Sequence, residues 1–188
     1  NLGGEGVPHL EAILKDPRKD EAVHARCVRL LGDALPPEEA EALLRRALAA
    51  SREGKEGDGR RQALLVLALG RVLQRQGRRR EARDLLERTL PALDGAARQG
   101  LAAQCRFLLG NLALQEHRLP DAERLHRAAL EARRGSRGPV AGTVASLSAL
   151  AAVRTAVGDF FQAASLYREA DELARRDGGE EDGFVLLG

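Results

Sequence analysis

The chain has 188 residues, 44% of them hydrophobic and 31% charged, and a net charge of only +2, so neither a strongly basic nucleic-acid binder nor an acidic solvating tail is indicated. Aromatic residues make up 3%, while alanine, leucine, arginine and glutamate dominate; these are strong helix formers, and strand signals are missing. No uninterrupted apolar run approaches the ~18 residues needed to span a bilayer, and no signal peptide is legible at the N-terminus.

Taken in chain order, residues 5–19 read as a second helix whose partner is missing, with Leu10, Ile13 and Leu14 on its apolar side. Residues 20–56 form a first helix pair. Val28, Leu31 and Leu35 precede a turn at Pro36-Pro37, and Ala40, Leu43, Leu44, Ala47 and Leu48 follow it. Pro37 suits a helix start because its missing N–H would be unpaired there anyway. Residues 57–98 form a second pair: Leu65, Val66, Leu69, Val72 and Leu73 at helical spacing, a break at Gly77, then Leu85, Leu86, Thr89, Leu90 and Leu93, closed by Asp94-Gly95.

Residues 99–138 repeat the plan with Leu108, Leu109 and Leu112, a turn at His117–Leu119, then Ala122, Leu125, Ala129 and Leu130. Residues 139–178 do so with Leu147, Leu150 and Val153, a turn at Gly158-Asp159, then Ala163, Leu166, Tyr167, Ala170 and Leu173. Residues 179–188 begin a further first helix.

Two series of small residues run in phase through these pairs. Gly32, Gly70, Gly110, Ala151 and Gly188, each after a leucine, recur at intervals of 38, 40, 41 and 37. Gly6, Ala40, Ala82, Ala122 and Ala163 recur at 34, 42, 40 and 41. Such phasing marks an internal repeat whose units must stack to bury both apolar faces. The small residues are expected where two helices of a unit nearly touch, Gly70 against Ala82 for example.

Leu-Gly, a small turn residue, then Ala-x3-Leu/Tyr-x2-small-Leu resembles the tetratricopeptide repeat, in a form longer than the familiar 34 residues. The long unit resembles that of kinesin light chains and of bacterial STAND-type regulators, and segments 109–114 and 158–164 are similar to the repeats of the latter. The usual large aromatic of the first helix is replaced by Val28, Val66, Arg106 and Leu147. The resemblance implies an all-α, right-handed superhelix of stacked antiparallel helix pairs, a single repeat domain over residues 1–188. HEAT-like repeats have a similar period but lack the phased Leu-Gly and Ala series.

The resemblance also implies a concave groove lined by the first helices. Its candidate residues are Arg26, Arg29 and Asp33; Leu67, Arg71, Gln74 and Arg75; Gln104, Phe107, Asn111 and Gln115; and Ser148 and Thr155. The groove would be arginine-rich early and neutral late. Asn111 falls where peptide-clamping repeats often grip a ligand backbone, and the paired lysines of a chaperone carboxylate clamp are absent.

No enzyme site emerges. Gly54-Lys55 is followed by Glu56 and lacks the glycine spacing and Ser/Thr of a phosphate loop. His9, His24, His117 and His126 have no partners at metal-ligand spacing, and His117 and His126 read as turn and surface or cap residues. No catalytic residue, cofactor or metal is expected. Arg133–Gly138 has an arginine-glycine character without interleaved aromatics, so direct nucleic-acid binding is not expected.

Charge is unevenly distributed. Residues 71–88 hold seven arginines and residues 169–182 seven acids, which reads as solvated helix faces or as two patches able to dock. Cys27 and Cys105 occupy equivalent positions two units apart and are expected to be separate buried thiols, as in a reducing cytoplasm.

Half-units at both ends and the absence of methionine suggest an excised piece of a longer protein, self-associating through its ends. The functional expectation is a non-enzymatic sensor or interaction domain of a larger bacterial regulator, binding a protein, a peptide or a small-molecule effector away from membranes. A generic scaffold, or a helical accessory region of an enzyme whose catalytic domain lies elsewhere, are the alternatives.

Overall fold

The computed structural model describes residues 21–53, 59–93, 95, 98–135 and 139–183, together with residues 8, 12 and 13. The series members Gly6 and Gly188, the end residues Leu10, Leu14, Phe184, Val185 and Leu187, and Asp94 lie outside them. The described chain is all-α, with eight helices and no strand. These are α1 (Glu21–Ala34), α2 (Pro37–Glu53), α3 (Gly59–Arg75), α4 (Arg79–Thr89, continued by a 3-10 turn Leu90–Leu93), α5 (Gln99–Gln115), α6 (Leu119–Arg134), α7 (Val140–Val157) and α8 (Phe160–Gly183). Connections of two or three residues join α1 to α2, α3 to α4, α5 to α6 and α7 to α8, which makes each of these pairs antiparallel neighbours.

Three of the four turns share one device. The amides of Arg78, Arg118 and Asp159 donate to the carbonyls of Leu73, Ala113 and Arg154 at 2.9, 2.8 and 2.9 Å. One residue earlier, Gly77, His117 and Gly158 donate to Gln74, Leu114 and Thr155. This double bond pattern ends a helix through a left-handed residue, and the three residues carry φ of +76°, +58° and +87°. Two are glycine; the third, His117, accepts the strain of a side chain there.

The chain divides into two compact units, residues 1–94 and 95–188. In the first, α3 packs against α1, α2 and α4, around the fully buried Leu31, Leu44, Leu69, Leu73 and Leu86. In the second, α7 packs against α5, α6 and α8. Leu130, Leu147, Leu150 and Ala170 form one core cluster with Val144, Leu166 and Leu173 against it. Ala113, Ala122 and Val153 form another with Leu114 and Leu125.

The small residues do not all serve the same end. A Cβ added at Gly70 would meet the Leu86 side chain at 3.0 Å, so the close approach is real but its partner is Leu86, one turn beyond the expected Ala82. A Cβ at Gly32 would meet nothing within 4 Å, against expectation. The reason is the shorter connection in that pair: Ala40 follows Gly32 by eight residues, whereas twelve separate Gly70 from Ala82. Without those four residues no side chain of α2 comes up against the Cβ position of Gly32, and its carbonyl accepts a hydrogen bond from Arg75 Nη1 of α3.

Three further expectations change. Tyr167, expected among the inward residues of α8, is 46% exposed, in a patch with Val157, Phe160 and Phe161. Helix α7, Val140–Val157, is long and apolar enough to cross a membrane by length and composition. Counting uninterrupted apolar residues missed it because threonine, serine and glycine are scattered through an alanine-rich helix. It is packed between α6 and α8 with Leu147, Leu150 and Val153 in the core, while 28% of its residues are buried. His126, expected at the surface, is 0% exposed. The two cysteines are free and buried; burial pushes the Cys105 thiol up to about 12 and raises that of Cys27, so neither is a ready thiolate.

Candidate interaction face

In each unit the first helices of the two pairs touch: α1 packs against α3, and α5 against α7. On α1, burial of Cys27, Val28 and Leu31 leaves Val23, Arg26, Arg29 and Leu30 exposed on the opposite arc. On α3, the least buried arc carries Arg60, Leu64, Arg71, Gln74 and Arg75. Leu67 lies within this arc but is 1% exposed, so it belongs to the core and offers no side chain to a ligand. Arg75 is exposed while its guanidinium reaches the Gly32 carbonyl, tying the C-terminal ends of α3 and α1 together. Asp33 lies on α1, its side chain outside the described residues.

The second unit offers a different face. On α5, Gln104, Phe107 and Asn111 are half-buried and Gln115 exposed; on α7, Ser148 is half-buried and Thr155 exposed, its hydroxyl donating to the Ala151 carbonyl at 3.0 Å. This face is neutral and polar around one aromatic ring.

Beneath Phe107 lies a cluster that sequence reasoning missed. The His126 ring meets Phe107 edge-on, centroids 5.4 Å apart. Its nitrogen-bearing edge presses on Gly110, where a Cβ would fall 2.6 Å from the His126 Cε1. Both ring nitrogens are buried without a hydrogen-bond partner. Burial holds His126 down to about 4, with the nearby Arg133 charge adding to the effect and the adjacent Gly110 backbone opposing it. The Arg133 guanidinium sits over the Phe107 ring at 4.8 Å, and its Nη1 donates to the Gly142 carbonyl and to Ser146 Oγ, each at 2.6 Å. Phe107 is therefore held from two sides, by His126 and by Arg133. The available signal was positional: His126 falls at the repeat position of Leu86, four residues after the phased alanine.

The second helices carry ion pairs. In the first unit, Arg45 bonds Glu41 at 2.8 Å and Glu81 at 2.5 Å, while Arg78 bonds Glu41 at 2.6 Å and Glu81 at 2.5 Å, closing a ring of four charges across α2, α4 and the turn before it. Burial works against Glu41 ionising, but hydrogen bonds from Arg45, Gln76 and Arg78 outweigh it and hold Glu41 down to about 2. In the second unit Arg134 pairs with Glu169 across α6 and α8, and Arg154 of α7 with Glu123 of α6. Among the described residues, no group of three His, Cys, Asp or Glu is placed to hold a metal.

A family model for the tetratricopeptide repeat matches residues 24–94, which span the first unit's two described helix pairs. Residues 24–94 are thus similar to the tetratricopeptide repeat. The fold of the chain is similar to the crystal structure of the apo form of RapI, with a TM-score of 0.71 at 16% identity over 95% of this chain. The chain spans 66% of that structure's length. A second structure, BtubC (BKLC) from P. vanneervenii, aligns at 17% identity over 92% of this chain and 89% of its own. Its TM-score of 0.45 adds nothing to the assignment. No curated protein matches the chain. Tetratricopeptide repeats generally mediate protein–protein interaction, and the fold is typically a non-catalytic interaction module.

Proposed function

We propose that this chain is the peptide- or protein-binding part of a larger bacterial regulator, the ligand lying along the first helices within a unit. The observation that carries this reading is the division of labour between helices. The second helices tie carboxylates such as Glu41, Glu81, Glu123 and Glu169 into ion pairs, the Arg45–Glu41–Arg78–Glu81 ring among them. The first helices instead expose amides, hydroxyls and arginines suited to contacting a backbone and side chains, namely Arg26, Arg29, Gln74, Asn111, Gln115 and Thr155. Phe107, held by two neighbours, is a rigid apolar anchor of the kind that dominates binding surfaces. A small-molecule effector, a cytoplasmic location and a sensor role belong to the same reading.

Photo-crosslinking in the full-length protein tests it. A crosslinking residue at Gln115 or Thr155, both on first helices, should capture a partner that the same residue at Glu172, exposed on α8, does not. Capture from Glu172 alone overturns the assignment of the face. Flanking sequence encoding a nucleotide-binding domain supports the regulator; a catalytic domain there overturns it.

A further inference from the structure

We infer that the open side of α8 pairs with the same helix of a second copy of this chain, antiparallel and about a two-fold axis. Helix α8 is a second helix, distinct from the first helices assigned to the ligand. The chain has only four phenylalanines and one tyrosine. Three of these five lie within the first eight residues of α8 and face solvent: Phe160 at 68%, Phe161 at 81% and Tyr167 at 46% exposure, with Val157 just before the turn also exposed. Leucine, alanine and valine fill most of the core instead. Scarce aromatic rings gathered on the outside mark an interaction surface. Register excludes one occupant of this side. Eight residues after the phased alanine of each second helix stand Leu48, Leu90, Leu130 and Asp171. Leu130 is buried in one cluster with Leu147 and Leu150 of α7, the next first helix, whereas Asp171 is exposed. Four residues after the same alanine, Leu44, Leu86 and His126 are buried and Tyr167 is not. A further first helix stacked on α8 as α7 is on α6 would bury a charge where a leucine belongs.

Spacing and charge point to the second copy. Leu166, Ala170 and Leu173 turn towards the core. Round the helix from them, Phe160, Ala164, Tyr167, Asp171 and Ala174, all exposed, follow at intervals of four, three, four and three, the seam by which one helix packs along another. An antiparallel copy crossing at Tyr167 sets each Phe160 against Ala174 of the other copy, large against small. Arg168 and Asp171 supply the charge complement. Across the axis they fall about one and a half turns apart. Helix side chains lean towards their own N-terminus, so in antiparallel helices these two lean towards each other. The two-fold makes the pair twice. Their contacts within one chain are weak: Asp171 meets Arg175 at 2.6 Å with both well exposed, and Arg168 Nε donates to the Ala164 carbonyl at 3.4 Å. At roughly 150–250 Å² for a fully buried ring, the exposed parts of the three rings amount to on the order of 400 Å² per copy. The pair therefore sits at the small, reversible end of specific interfaces. A lipid surface is the poorer fit, because Asp171 and Glu172, exposed on the same helix, would be repelled by anionic head groups.

Sedimentation equilibrium of the intact chain across the micromolar range tests the pairing. The chain should form a dimer with a micromolar dissociation constant and assemble no further, since a two-fold contact closes on itself. Phe160→Ser/Phe161→Ser should weaken the dimer more than about thirtyfold. Its circular dichroism and melting temperature should match the unaltered chain, because both rings are already exposed. Arg168→Asp and Asp171→Arg should each weaken the dimer about tenfold, and the two combined should restore it. Deleting residues 184–188 should leave it unchanged. A monomer throughout the range, a dimer indifferent to the two phenylalanines, a combined charge swap no better than the single ones, or a dimer lost with residues 184–188 overturns the proposal. So does flotation of a monomer on vesicles of phosphatidylcholine, with or without phosphatidylserine. Crosslinks from Glu172 between two copies carry twice the mass of the chain, which keeps them distinct from capture of a partner along the first helices.

Discussion

The two units solve the same packing problem with different chemistry. Where α3 meets α4, Gly70 lies against Leu86; where α5 meets α6, at the same repeat positions, Gly110 lies against His126. Leu86 is flexible and apolar, and at 3.0 Å from a Cβ on Gly70 its methyls can give a little. The His126 ring is flat and stiff, it stands at 2.6 Å from a Cβ on Gly110, and it brings two unpartnered nitrogens into a dry contact. An unpaired buried polar atom costs stability that an isosteric apolar side chain would not. The lesson is that repeat register preserves shape more strictly than polarity. The second unit keeps the helix spacing and accepts a polar cost; in return, the ring holds Phe107 on the open face.

Acid should open the widest gap between the units. Above pH 6.5 His126 is neutral folded or unfolded and contributes no pH dependence. Below it the unfolded chain takes up a proton that the folded chain refuses until about 4. Stability therefore falls as pH drops through this window, by about 3 kcal/mol in total. Glu41 behaves oppositely: its depressed value gives a modest, solvent-screened stabilisation of the first unit that is present above the usual carboxylate range and lost only as pH falls toward about 2. Urea unfolding at pH 7 and near 4.5, with amide exchange to localise the opening, should show α5 and α6 weakening before α3 and α4. His126→Leu, which copies the first unit, should remove most of that drop and add about 1–2 kcal/mol at pH 7; an unchanged acid response in this variant breaks the comparison.

Next in size is the cost of a methyl group at the two glycines. Gly110→Ala should lose about 2 kcal/mol because the imidazole has nowhere to go. Gly70→Ala should change stability by no more than about 0.5 kcal/mol, because alanine's better helix propensity offsets a small shift of Leu86. Equal melting temperatures for the two variants would mean that the two contacts are equally soft.

The turns extend the same contrast on a smaller scale. His117→Gly should stabilise the chain by about 1 kcal/mol by relieving its left-handed backbone, and Gly77→Ala should destabilise it by a similar amount. Thermal melts decide both signs. Smallest of all, Glu81→Gln opens one side of the Arg45–Glu41–Arg78–Glu81 ring and should cost about 0.5 kcal/mol at low salt. The loss should fade on raising the salt concentration.

The helix pairs, their turns and the all-α class were legible because they rest on local chemistry. Leucines at helical spacing, glycine where a left-handed turn residue is needed, and two small-residue series in phase are all written along the chain. The contact at Gly70 was legible in kind but not in partner, since facing residues depend on how far the second helix slides after its turn. Gly32 failed for that reason, its pair having a shorter connection.

His126 was misplaced because residue type argues for the surface, and only register against Leu86 argues for the core. Leu67 was misplaced because helix spacing assigns a face without saying what covers it. Tyr167 shows the converse: an apolar residue in phase with the core stays exposed when no described helix packs over it. Along the chain the sequence by itself determined the period, the helix boundaries and which helices contain acids, since these depend on neighbours within a few residues. Tertiary structure alone decided that a histidine rather than a leucine fills the second unit's contact, that Arg75 is engaged by Gly32, and that Arg26 and Arg29 are left facing solvent. Burial and pairing arise from residues dozens of positions apart, brought together by packing.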